Sequence, residues 1–80
     1  MTAREMFEKL GYTLVADDDG QILYTNLQTG SMVRFIKCIK AYEGLSHGMV
    51  MLFGVVSHKA IHQQLLELGW IWCWLKKNVN

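Results

Sequence analysis

The sequence predicts a single small α+β domain in which two helices pack on an antiparallel sheet, in the order α-β-β-β-β-α-β. Three observations carry that expectation. The chain has 80 residues, enough for one domain, and a chain of that size hides only about 60% of its unfolded surface on folding. Stretches near both ends show helical periodicity and stop at Leu-Gly-aromatic. Between them lie short β-prone runs separated by Asp/Gly and Thr/Gly turn signals.

The first helix is expected over 3–10. Thr2 and Glu5 have capping-box spacing, so the Thr2 hydroxyl can accept from the Glu5 N–H while the Glu5 carboxylate reaches back to the Thr2 N–H. Ala3, Met6, Phe7 and Leu10 then fall on one helical face. Gly11 stands where a left-handed residue ends a helix, and Tyr12 can fold back onto the last turn.

Strands are expected over 12–16 and 21–27, joined by Asp17-Asp-Asp-Gly20, and Gln28-Thr-Gly-Ser31 makes the next turn. A third strand is expected over 32–41, with Val33, Phe35, Ile39 and Ala41 on one face. Arg34, Lys37 and Lys40 break its alternation, which a bulge near Lys37-Cys38 would repair. Residues 42–48 read as a loop or long hairpin turn. The run 49–56 is apolar on both faces and reads as a central, buried strand. Ser57 is a plausible N-cap for a second helix over 58–68, with Ile61, Leu65 and Leu68 on its apolar stripe and Ala60 and Gln64 beside them. Gly69 stops it, residues 70–75 read as a last strand, and 76–80 as a frayed tail.

Composition narrows function mainly by exclusion. The apolar fraction of 51% rules out a disordered tail. Eight basic against seven acidic residues leave no electrostatic footprint for nucleic acid or anionic membrane. Arg4, Glu5, Glu8 and Lys9 make the start an amphipathic helix rather than a secretory leader. The apolar run 49–56 is far short of the roughly 20 residues that span a bilayer as a helix. The expectation is an intracellular protein with reduced thiols, and two cysteines cannot build a disulfide scaffold.

No strong catalytic signature is present, so no enzyme, cofactor or metal is expected. His58 and His62 share a helix face at zinc-chelating spacing, but they lack the intervening glutamate of a metalloprotease. A third ligand would have to come from His47, Cys38, Cys73 or Glu67; the plainer reading is two solvent-facing histidines. Cys38 and Cys73 read as small buried hydrophobes. Asp17, Asp18, Asp19 and Gly20 resemble a piece of a calcium loop, yet Val15 and Asn26 stand where ligands should be, so a plain turn is expected. Arg34, Lys37, Lys40 and Lys59 with Tyr24, Phe35 and Tyr42 give the alternative reading, a basic and aromatic sheet face for single-stranded nucleic acid; solvated surface charge is the simpler account.

Trp70, Trp72 and Trp74 weigh most. In a strand they point to one side, with Ile71, Cys73 and Leu75 on the other. Three tryptophans in line form either an apolar contact stripe or intramolecular core. The interaction reading takes Trp70, Trp72 and Trp74 as contacts with Lys76 and Lys77 as rim charges, and allows a homodimer through the C-terminal strand.

The runs Ala3-Arg-Glu-Met-Phe-Glu-Lys-Leu-Gly-Tyr12 and Ile61-His-Gln-Gln-Leu-Leu-Glu-Leu-Gly-Trp70 resemble the opening and closing of a group of small uncharacterised proteins from phages and prophages of Gram-positive bacteria. Those begin with an Ala-Arg-x-Met-Phe-x-x-Leu-Gly-Tyr helix and end in a helix closing on Glu-Leu-Gly-Trp. The similarity covers the two ends, while the apolar middle, 44–56, and the residues after Trp70 depart from the pattern. The resemblance implies a phage accessory protein in the cytoplasm of a bacterial host, binding and blocking a host or anti-phage defence protein without catalysis. It carries over no functional residues.

Overall fold

The structure, a computed structural model, describes residues 1–46, 49–50 and 55–71. Its elements are α1 (Ala3–Lys9), β1 (Thr13–Asp17), β2 (Gln21–Asn26), β3 (Ser31–Ile36), β4 (Ala41–Ser46), β5 (Met49–Val50) and α2 (Val55–Glu67). The strands form one antiparallel meander in the order β1-β2-β3-β4-β5, and the fold is the expected α+β domain.

The start of α1 and the ends of both helices follow the sequence signals. The Thr2–Glu5 capping box forms in both directions. At the end of α1, the Gly11 N–H donates to the Glu8 carbonyl and the Tyr12 N–H to the Phe7 carbonyl. At the end of α2, the Gly69 N–H donates to Leu66 and the Trp70 N–H to Leu65. These are two Schellman motifs, with Gly11 at φ +94° and Gly69 at φ +76°. The shared Leu-Gly-aromatic run is therefore one helix stop used twice.

Both helices pack on one face of the sheet. Phe7 from α1 and Ala60 and Ile61 from α2 are buried against Ile22, Tyr24, Val33 and Phe35, with Leu65, Leu68 and Trp70 at the margin. Phe7 is the hub: its ring stacks on Tyr24 at 4.1 Å between centroids and meets Tyr12 edge-on at 5.7 Å. The Tyr24 hydroxyl donates to Gln64 Oε1 at 2.6 Å, so the one polar side chain α2 buries is satisfied.

Two expected strand assignments and the place of a bulge are corrected. The third strand does not run through to residue 41: it ends at Ile36, and Lys37–Lys40 is a four-residue turn closed by Lys40 N–H to the Lys37 carbonyl. Lys40 takes the left-handed conformation, φ +51°, without the Gly or Asn that would have signalled it. Ile39 and Cys38 are exposed in that turn rather than buried, and no bulge forms near Lys37-Cys38. The bulge lies instead in β1, where pairing with β2 shifts between Leu14 and Ala16. The supposed loop 42–48 supplies β4, which pairs with β3 from Ser31↔Ser46 to Ile36↔Ala41.

The run 49–56 is not one central strand. Met49–Val50 pairs only with β4 among the described residues, at the end of the strand order, and Val55 already belongs to α2. Ser57 thus lies inside the first turn of α2 and is not its cap. β-branched residues cost a helix only a few tenths of a kcal/mol each, so the Val55-Val56 pair does not forbid it. Trp70 and Ile71 belong to the bend after α2 rather than to a strand, and the remainder of the expected last strand, 72–75, lies outside the described residues.

Candidate functional site: the sheet face opposite the helices

Because both helices sit on one face, alternation along each strand sends the other side chains to a face that no described helix covers. That face is built by register. Met32 lies across from Leu45, Arg34 from Glu43 and Ile36 from Ala41 on β3 and β4, while Leu23 on β2 lies across from Arg34. All are half-buried. At its centre the Arg34 guanidinium pairs with the Glu43 carboxylate through Nη2. Arg34 Nε is shielded from solvent and has no acceptor among the described residues.

Beside this pair is a shallow hollow of about 310 Å³ lined by Asp18, Gly20, Gln21, Arg34 and Ile36. Its charged groups are already engaged within the chain. Asp18 Oδ1 accepts from the Gly20 and Gln21 N–H groups at 2.8 and 2.9 Å, an ordinary Asx turn. The aspartates of that turn therefore serve the β1–β2 connection, as expected.

The basic residues proposed for nucleic acid are not gathered on one aromatic face. Arg34 occupies the face opposite Tyr24, Phe35 and Tyr42, because it alternates with Phe35 on the same strand. Lys37 Nζ reaches the Asp18 carbonyl at 2.5 Å and Asp17 Oδ1 at 3.6 Å. Lys40 sits in the turn. Tyr24 and Phe35 are core residues, and Lys59 is exposed on α2.

Trp70 goes to the core margin, its ring 6.5 Å from Phe35 between centroids. Trp72, Trp74, Lys76 and Lys77 lie outside the described residues. His58 and His62 are exposed on α2, and no three His, Cys, Asp or Glu side chains come together to hold a metal among the described residues. His47 and Cys73 lie outside them. Glu67, considered above as a metal ligand, instead accepts the Ala3 backbone N–H at 2.7 Å and the Gln63 side chain at 2.9 Å.

Two tyrosines carry shifted ionisation. Burial pushes the Tyr24 hydroxyl up to about 12, with the negative charges of Glu67 and Asp17 adding in the same direction. Burial also raises Tyr12, against the opposing effect of its hydrogen bond with Ser31. Both phenols face the helix side of the sheet, where they hold the core together.

No family model, no curated protein and no solved structure matches this chain.

The uncovered face could not be read from the sequence. Its central Arg34–Glu43 pair depends on β4 existing where a loop was expected, and its apolar residues occupy the positions that a one-sided sheet normally turns to water.

Proposed function

We propose that the protein works by non-catalytic protein–protein binding, with the uncovered sheet face as its contact surface. One observation carries this reading: Leu23, Met32, Ile36 and Leu45 surround a single ion pair on a face that no described helix covers. An apolar centre with few charges is the composition of an interface core. Adjacent strands also keep that face rigid, so little ordering cost falls on binding. The resemblance to small phage proteins supports a host or anti-phage defence protein as a further target, contacted through the C-terminal tryptophans Trp72 and Trp74.

The test is site-specific photocrosslinking in the producing cell. A benzophenone side chain replacing Ile36 is expected to yield a covalent adduct with a polypeptide, whether another copy or a different protein. The same probe replacing His58, exposed on α2, is expected to yield none. Absence of any polypeptide adduct from residue 36 in a chain with native circular dichroism would refute the reading.

A further inference from the structure

We infer that the occupant of the uncovered face is a second copy of this chain, the two sheets packing face to face about a two-fold axis that runs along the strands between β3 and β4. This deepens the preceding reading, rests on it, and names the polypeptide that the face binds.

A surface can bind itself about a two-fold axis only if it is self-complementary. An axis lying in the interface, parallel to two antiparallel neighbours and midway between them, has a simple consequence. It sets each residue over its own register partner, now supplied by the other chain. For the β3–β4 seam the facing pairs become Met32 on Leu45, Arg34 on Glu43 and Ile36 on Ala41. Apolar meets apolar at both ends, cation meets anion in the middle, and small Ala41 leaves room for Ile36.

The other two seams within β1–β4 fail the same test. An axis between β2 and β3 would set Leu23 on Arg34, Gln21 on Ile36 and Thr25 on Met32, a polar group against an apolar one each time. The β1–β2 seam is interrupted by the bulge between Leu14 and Ala16. Among the three seams within β1–β4, self-complementarity singles out β3–β4.

The ion pair supports the same arrangement. Arg34 has five N–H donors and meets Glu43 through Nη2, which leaves guanidinium donors for a second carboxylate. A second carboxylate laid over the first pair closes a four-charge ring of two arginines and two glutamates. The flanking apolar pairs exclude water from that ring and strengthen it.

The face is modest in size. The seam sets β3 on β4 over about 20 Å of strand, with β2 over the two-residue β5, so the overlap falls below standard-size interfaces and in the range of weak, transient ones. The dimer is accordingly expected to be weak and to exchange readily with monomer.

Sedimentation velocity on the full chain over a concentration series tests this. Wild type is expected to shift from monomer to dimer. Arg34→Glu alone and Glu43→Arg alone each put like charges face to face and are expected to weaken association at least about tenfold. Mixing the two variants sets Glu on Arg at both positions, so a heterodimer is expected to return near wild-type strength. The double variant Arg34→Glu/Glu43→Arg is likewise expected to dimerise. Circular dichroism establishes that each variant is folded. A chain that stays monomeric throughout overturns the inference, as does a dimer indifferent to the single charge reversals or a mixture that fails to associate. The crosslink at residue 36 separates the two levels: an adduct only with a different protein removes the second copy and leaves the binding face standing.

Discussion

The Glu67 carboxylate accepts the backbone N–H of Ala3 at 2.7 Å, tying the last turn of α2 to the first residue of α1 across 64 positions of sequence. Ala3 is fully buried, and its N–H is one of the donors that a helix cannot satisfy internally. The negative charge also complements the positive end of the helix dipole. Glu67→Ala is expected to destabilise the fold by about 1–3 kcal/mol, the usual cost of a buried donor left without an acceptor. Glu67→Gln keeps an acceptor and is expected to cost less. Urea denaturation of the three chains checks both, and equal stability of all three would contradict this role.

Tyr24 and Gln64 make the equivalent link between sheet and α2. Tyr24→Phe deletes the donor to a buried Gln64 oxygen and is expected to cost about 1–3 kcal/mol. The link also predicts a pH response. An unfolded tyrosine ionises near 10, and in the fold Tyr24 does so at about 12. Above 10 the unfolded chain releases its proton before the native chain does, so stability is level below about 10 and falls as pH rises toward about 12. Tyr12, raised by its own burial, acts in the same direction. Denaturation midpoints across alkaline pH are expected to fall, and to fall less steeply in Tyr24→Phe.

Gly11 and Gly69 end the two helices identically but are not equally replaceable. A methyl group at Gly11 would sit 3.1 Å from Asn26 Nδ2, whereas at Gly69 nothing lies within 4 Å. Both sites carry positive φ, so alanine at either costs about 1 kcal/mol. Gly11→Ala is expected to cost more, because Asn26 also accepts from the Gln28 and Thr29 N–H groups and cannot move without loosening the β2–β3 turn. Thermal melts of the two single variants are the comparison to make.

Lys40 holds φ +51° in the β3–β4 turn with an ordinary side chain. Lys40→Gly is expected to stabilise the fold by about 0.5–1 kcal/mol, since the relief of strain exceeds the added unfolded-chain freedom. Lys40→Pro should do the opposite, because the Lys40 N–H closes the turn on Lys37 and proline has no such donor. A stabilising proline would show that the turn takes another form.

Local chemistry made much of this molecule legible in advance. Thr2 and Glu5 announce the first helix, Gly11 and Gly69 announce both helix stops, and Asp18 with Gly20 announces the first hairpin turn. Each signal works within five residues of itself. The β3–β4 hairpin was not legible because Lys37–Lys40 contains no turn residue, and without it β4 was read as a loop. The Val55-Val56 run likewise resembles a strand when taken alone.

The sequence by itself thus determined the fold class, the cap that starts α1, the stops that end both helices and the aromatic residues available for a core. Only the tertiary structure decided that Arg34 meets Glu43, that Glu67 caps Ala3, and that the sheet turns an apolar face away from both helices. The physical reason is range. Capping and turn formation are settled by neighbours along the chain, whereas strand register and the choice of covered face are settled by the burial of Phe7, Tyr24 and Phe35 together, an interaction between segments that no single stretch of sequence contains.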